Sequence, residues 1–169
     1  INLAIEKDAH MINMSLGTAK DFPLLHEAIK AASKQNIVLV ASVGNDSGKK
    51  AITYPAAYDE VIAVGAINAK KNRASFSNTG AQLEFVAPGE KLLGLNRKYY
   101  SGTSFAAPYV TALLVSLKQQ YPKWSNDKLR EYARNYVEDL GDSGRDEQFG
   151  YGAISYKLQA PAKATTLKK

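Results

Sequence analysis

Two spacings of apolar residues alternate along this chain, one suited to strands covered on both faces and the other to helices packed on a single face. Ile1 to Ala9 has helical character and breaks into Met11-Ile12-Asn13-Met14-Ser15, whose length and apolar content suit a buried strand. Asp21 is placed to cap a helix with Pro23 in its first turn, and Leu25, Ala28, Ile29 and Ala32 then share one face at i, i+3, i+4, i+7 spacing. That helix is expected to end near Lys34. Ile37 to Ser42 is a continuous apolar run rich in β-branched residues, of the kind buried on both sides in a parallel sheet, and Gly44 ends it. Strand, helix and strand together predict a βαβ unit.

Val61 to Ile67 reads as a third strand, Leu83 to Ala87 as a fourth before the turn Pro88-Gly89, and Lys91 to Leu95 as a short fifth. Tyr99 to Gly102 leads into a helix from Ser104 to Gln120 with Ala107, Val110, Leu113 and Leu114 on its apolar face. A further helix follows Trp124, with Ser125 as its N-cap and Lys128, Arg130 and Arg134 on the outer face. Gly150-Tyr151-Gly152 forms a turn ahead of Ala153-Ile154-Ser155. Residues 160–169 lack large aromatics and end in lysines, so a mobile tail is expected there after a single α/β domain over 1–159.

Composition narrows the function classes. A chain of 169 residues, 45% hydrophobic and 22% charged, suits one globular domain with a sizeable core rather than a disordered or collagen-like chain. No apolar run approaches the ~20 residues of a membrane span, so no membrane partner is expected. Ile1 to Glu6 has no basic leader ahead of an apolar block, and reads as the interior of a longer sequence. The absence of cysteine excludes disulfides, thiolate metal sites and a cysteine nucleophile. The net charge of +6 comes from lysines spread along the chain, not from a basic stripe interleaved with aromatics, which argues against nucleic acid as a partner.

In an open parallel sheet, ligands sit beyond the carboxyl ends of the strands. Two such ends are Ser15-Leu16-Gly17 and Val43-Gly44-Asn45. A third element joins them if Gly102-Thr103-Ser104 opens the long helix, because free N–H groups and the positive dipole end favour an anion developing beside Ser104. Taken singly, Thr103 or Ser104 is an ordinary helix N-cap and Asn45 an ordinary turn residue. Their joint placement is what points to acyl transfer.

Gly102-Thr103-Ser104-Phe105-Ala106-Ala107-Pro108 resembles the nucleophile motif of the subtilisin-like serine proteases, and Ala41-Ser42-Val43-Gly44-Asn45 resembles their oxyanion segment. Ile12-Asn13-Met14-Ser15-Leu16-Gly17, Tyr54-Pro55-Ala56-Ala57-Tyr58, Val61-Ile62-Ala63-Val64-Gly65-Ala66, Ser75-Phe76-Ser77-Asn78, Val86-Ala87-Pro88-Gly89 and Gly150-Tyr151-Gly152 match further family segments, in order. The resemblance runs from Ile1 to about Ala160. It implies the C-terminal portion of a three-layer subtilisin-like α/β fold, with a mainly parallel sheet flanked by helices. It implies Ser104 as nucleophile, with the Ser104 N–H and the Asn45 amide as oxyanion donors. Ser15, Leu16 and Gly17 together with Ser42, Val43 and Gly44 would pair with the substrate backbone and flank a side-chain pocket, beside Thr103. Thr53 would lie at the base of that pocket, where many relatives have glycine, so large substrate side chains should fit less well. The Tyr54-Pro55 bond is cis in many relatives.

A serine hydroxyl needs a base, and the base an orienting carboxylate. This chain holds only His10 and His26, and neither has the His-Gly-Thr setting of the family's catalytic histidine. Asp8 and Asp21 lack the Asp-Ser/Thr-Gly setting. An α/β-hydrolase triad is excluded, since no histidine follows Ser104 and the second glycine of that family's elbow is missing. The expected role is therefore a serine endopeptidase whose Asp and His come from an upstream segment or a partner chain, with peptide or protein as substrate and little activity alone. A non-catalytic peptide-binding remnant and a purely structural interaction domain are the alternatives. The isolated half is expected to expose an apolar edge and self-associate. Calcium, which relatives often bind, and an extracellular or periplasmic location are implied by the resemblance alone; no metal ligands are assigned in this chain, which shows no dense cluster of oxygen ligands.

Overall fold

The apolar runs form the middle of a six-stranded sheet. In a computed structural model, residues 1–47 and 51–155 are described, and the tail expected over 160–169 lies outside them. In chain order the elements are α1 (Asn2–Glu6), β1 (Met11–Met14), α2 (Pro23–Lys34), β2 (Val38–Ser42), β3 (Ile62–Ile67), β4 (Leu83–Pro88), β5 (Leu92–Leu93), β6 (Tyr99–Tyr100), α3 (Thr103–Gln120), α4 (Asn126–Ala133), β7 (Val137–Glu138) and β8 (Ala153–Ile154). The sheet order is β1-β2-β3-β4-β8-β7. All neighbours run parallel except β7, which is antiparallel to β8.

Helices cover both faces, which is why the central strands are apolar throughout rather than alternating. Val38, Val40, Ile62, Val64 and Phe85 pack on Val110, Leu114 and Leu117 of α3 and Leu129 of α4. Leu39, Ala41, Ala63 and Val86 point the other way, toward Ile29 and Ala32 of α2. The mixed α/β, mainly parallel, helix-flanked architecture is the one anticipated. Strand β1 has a single neighbour in the sheet, β2, and its outer edge leads straight into Ser15.

Several local expectations change. Phe22, not Asp21, precedes the first turn of α2, and no side chain caps it, because Pro23 at the first helical position removes one N–H that a cap would serve. The Asp21 carboxylate instead accepts a 2.6 Å bond from the Tyr58 hydroxyl; burial and that bond push the Tyr58 hydroxyl up to about 12. The fifth strand is half of a hairpin, Leu92 facing Tyr100 and Leu93 facing Tyr99. Ser125 caps α4 as expected, its hydroxyl accepting from the Lys128 N–H. Arg130, expected on the outer face of α4, turns inward. The β3–β4 register skips Glu84 in a bulge, and Glu84 forms a bidentate pair with Arg130. The Tyr54-Pro55 bond is cis.

Candidate active site

Three chain ends meet beyond the carboxyl ends of β1 and β2. Helix α3 begins one residue earlier than the apolar pattern alone indicates, with Gly102 at its N-cap at a φ of 155°. The Thr103 N–H and hydroxyl donate to Asn45 Oδ1 at 2.8 and 2.9 Å. A peptide N–H only donates, so this contact fixes the amide: Oδ1 faces Thr103, and the two hydrogens of Nδ2 turn away from it. A Cβ on Gly102 would sit 3.6 Å from Nδ2, so the donor lies directly over the glycine before the helix. Thr103, expected along the substrate surface, is fully buried. Its place is behind Asn45, which it orients.

Ser104 lies in the first turn of α3, where no carbonyl of the helix can reach its N–H, and no acidic side chain in that turn offsets the dipole. Its hydroxyl is half-buried and donates to the Ser15 carbonyl at 3.2 Å. The Ser15 hydroxyl returns a bond of 2.9 Å to the Ser104 carbonyl. Pro108 explains why that carbonyl is open: it stands four residues on inside α3 and has no N–H to give. Asn13 of β1 extends the network, donating to the Ser15 hydroxyl at 3.0 Å and accepting from Thr111 of α3 at 2.9 Å. The N-terminal half of α3 and the end of β1 are thus tied at three points.

Thr53 sits between the two expected walls. Its hydroxyl and N–H both donate to the Val43 carbonyl, at 3.2 and 3.0 Å. A Cβ on Gly17 would collide with Thr53 Oγ1, and one on Gly44 would fall 3.0 Å from Thr53 Cγ2. Glycine at 17 and 44 is what lets the walls close on this threonine. Ser15, Leu16 and Gly17 are exposed, whereas Ser42 and Val43 are buried. The Val43 N–H also donates to the Val64 carbonyl, so Val43 has no free backbone group to pair with a substrate and serves as wall.

The two histidines stand apart from Ser104. His26 stacks on Tyr58 with ring centroids 4.0 Å apart and meets Glu60 at 3.2 Å. His10 lines a groove with Met11, Val115 and Lys118, three turns along α3 from Ser104, or about 16 Å at the usual helical rise. Asp8 is an exposed residue with positive φ after α1, and Asp21 is held by Tyr58. Among the described residues, no group of three or more His, Asp or Glu side chains is placed to hold a metal ion.

The arrangement gathers a hydroxyl, a helix-terminal N–H and an oriented amide at the tip of α3, the kinds of group that stabilise a developing oxyanion. Among the described residues, the partner of the Ser104 hydroxyl is the Ser15 carbonyl, which is not a base of useful strength. Asn13 is tied into this network although it did not stand out in the sequence as a functional residue. It lies in a segment that matches the family and is a polar residue within an apolar run, the one signal that could have marked it.

The subtilase family model (peptidase S8) matches residues 1–152. The chain is 47% identical over 168 residues to the minor extracellular protease Epr of Bacillus subtilis, covering 97% of this chain and 26% of that protein. It is 38% identical over 150 residues to subtilisin BL of Lederbergia lenta, covering 86% and 54%, and 40% identical over 139 residues to the major intracellular serine protease of Bacillus subtilis, covering 78% and 44%. It thus spans from about a quarter to just over half of these relatives. The solved structure of the prenylagaramide maturation protease PagA superposes with a TM-score of 0.76 at 27% identity, over 91% of this chain and 62% of that one. With a family model matching nearly the whole described chain and a mainly parallel, helix-flanked sheet like that of solved relatives, one assignment follows: the chain belongs to the subtilase family.

Proposed function

We propose that this chain is the nucleophile-bearing part of a serine endopeptidase, completed by a histidine and an aspartate from another segment or chain. The observation that carries the reading is the pair of hydrogen bonds from Thr103 to Asn45 Oδ1, which turns the Asn45 amide hydrogens away from Thr103, over Gly102 at the tip of α3. In the reaction, the Ser104 oxygen bonds to the scissile carbonyl carbon and its proton passes to the incoming base. The oxyanion is held by the Ser104 N–H and Asn45 Nδ2. The C–N bond then breaks, the leaving amine takes the proton from the base, and water releases the acyl group from Ser104 by the same steps.

The open edge of β1 and the groove beside Met11 and Val115 support a complementary segment on that side. The same edge supports self-association of the isolated chain. Mixing the chain with such a segment is expected to switch on Ser104 labelling by a fluorophosphonate, seen as an intact-mass shift lost in Ser104→Ala. No labelling from any complement containing the family's Asp and His segments would instead leave the peptide-binding remnant, which predicts peptide affinity unaffected by Ser104→Ala. The named relatives include both an extracellular and an intracellular protease; the stronger match to the extracellular one supports export. Among the described residues, no helix is long and apolar enough to cross a membrane.

Thr53 gives the substrate reading a separate test. With its side chain between Gly17 and Gly44, small residues should be preferred before the cleaved bond. Thr53→Gly is expected to raise kcat/KM for Phe and Tyr at that position about tenfold relative to Ala, the discrimination that a few buried carbons provide. A peptide-library profile of the parent already favouring Phe or Tyr would refute the assignment of Thr53 to the pocket.

A further inference from the structure

We infer that Asn78 is a positioning residue for the oxyanion donor, fixing the direction of Asn45 by holding the backbone on both sides of it. The inference rests on the peptidase reading above and adds a residue to it. Asn78 follows the short segment Ser75-Phe76-Ser77 and is fully buried. Its main-chain N–H donates to the Gly44 carbonyl at 3.1 Å, and its side-chain Oδ1 accepts from the Asp46 N–H at 2.9 Å. Gly44 and Asp46 are the two residues flanking Asn45.

The side chain is also fully used at its other end. Nδ2 donates to Asp46 Oδ2 at 3.0 Å and to the Ala51 carbonyl at 3.1 Å, so its two hydrogens have two acceptors. The loop is tied once more one residue on, where the Ser47 N–H donates to the Phe76 carbonyl at 3.0 Å. The approach is close enough to dictate a neighbour. Gly44 has a φ of 105°, and a Cβ there would lie 2.6 Å from Asn78 Nδ2. Asn45 itself is exposed and, among the described residues, is held at its tip by Thr103. Thr103 decides which end of the amide faces the nucleophile, and Asn78 decides where the Cα that carries the amide stands.

A donor that acts only on the transition-state charge loses its effect in kcat, not in KM, when it is displaced. In the complete catalytic domain, Asn78→Ala is therefore expected to lower kcat about 10- to 100-fold with KM changed less than about twofold, the scale of a misplaced catalytic group. The deciding measurement is a double-mutant cycle with Asn45→Ala. If Asn78 works through Asn45, adding Asn78→Ala to Asn45→Ala costs no further kcat. Losses that multiply, or a fall in kcat that tracks loss of folded protein in thermal unfolding, would overturn the inference.

Should Asn78→Ala fail to fold, Asn78→Asp keeps the volume and the acceptor for the Asp46 N–H but sets a carboxylate against Asp46. Its kcat relative to the parent should then recover as pH falls and one proton is shared between the two carboxylates; a ratio independent of pH would count against Asn78. The two readings fail differently. An inactive parent overturns the peptidase reading and this inference together, whereas an active parent that responds to Asn45→Ala but shows independent effects at Asn78 overturns the inference alone.

Discussion

Replacing Asn45 by alanine in the assembled catalytic domain is expected to lower kcat by about a hundred- to a thousandfold while leaving KM nearly unchanged, the loss seen when the corresponding donor of subtilisin is removed. What the structure adds is the reason the donor is effective. The Thr103 N–H and hydroxyl occupy Oδ1 before any substrate arrives, so Nδ2 need not reorient when the oxyanion forms. Asn45→Asp tests the same point from the other side. It preserves the contact with Thr103 but presents an oxygen where charge develops, so its loss should equal or exceed that of alanine. Steady-state kinetics on a small-residue peptide would decide; a change confined to KM would remove Asn45 from the oxyanion site.

The largest effect on stability is expected at Arg130. Its Nε donates to Glu84 Oε2 at 2.8 Å and its Nη2 to Glu84 Oε1, while Nη1 reaches the Asp59 carbonyl at 2.6 Å. The Glu84 side chain is only 3% exposed. Removing the guanidinium leaves a carboxylate buried without a counter-charge, so Arg130→Met should destabilise the domain by about 3–5 kcal/mol. Lysine should not rescue it, because a single ammonium cannot reproduce the forked contact together with the bond to the Asp59 carbonyl. The double variant Glu84→Met with Arg130→Leu should recover most of the loss, since both charges leave together. Denaturant midpoints for the three variants would test this, and a double variant as unstable as Arg130→Met would show that the cost lies in packing rather than in the stranded charge.

Much of the frame was legible because burial on both faces of a parallel strand leaves a period-free apolar run. Val38–Ser42, Ile62–Ile67 and Leu83–Pro88 emerge within a residue of the expected bounds. Helices α2 and α3 were legible from their apolar stripes, and Ser125 from the physics of an N-cap. The weaker elements were not. Strand β7 is two residues long and β6 likewise, too short for a period, and each exists only because a partner strand lies beside it. Asp21 failed as a cap because a tertiary partner, Tyr58, competes for its carboxylate.

Residue order and chemistry alone placed Ser15–Gly17, Val43–Asn45 and Ser104 around one crevice, because strand ends and helix starts in a parallel α/β sheet converge by topology, while Thr53 was placed there by the family resemblance. The tertiary structure decided what each polar group does there: that Thr103 faces Asn45 and not a substrate, that Pro108 frees a carbonyl for Ser15, that a bulge turns Glu84 to Arg130, and that Asn78 grips both neighbours of Asn45. These assignments depend on which donor meets which acceptor across 58, 89, 46 and 32 positions of chain. Period and propensity act over a few residues, so they fix elements. Hydrogen-bond direction between distant residues is fixed only once the elements have packed.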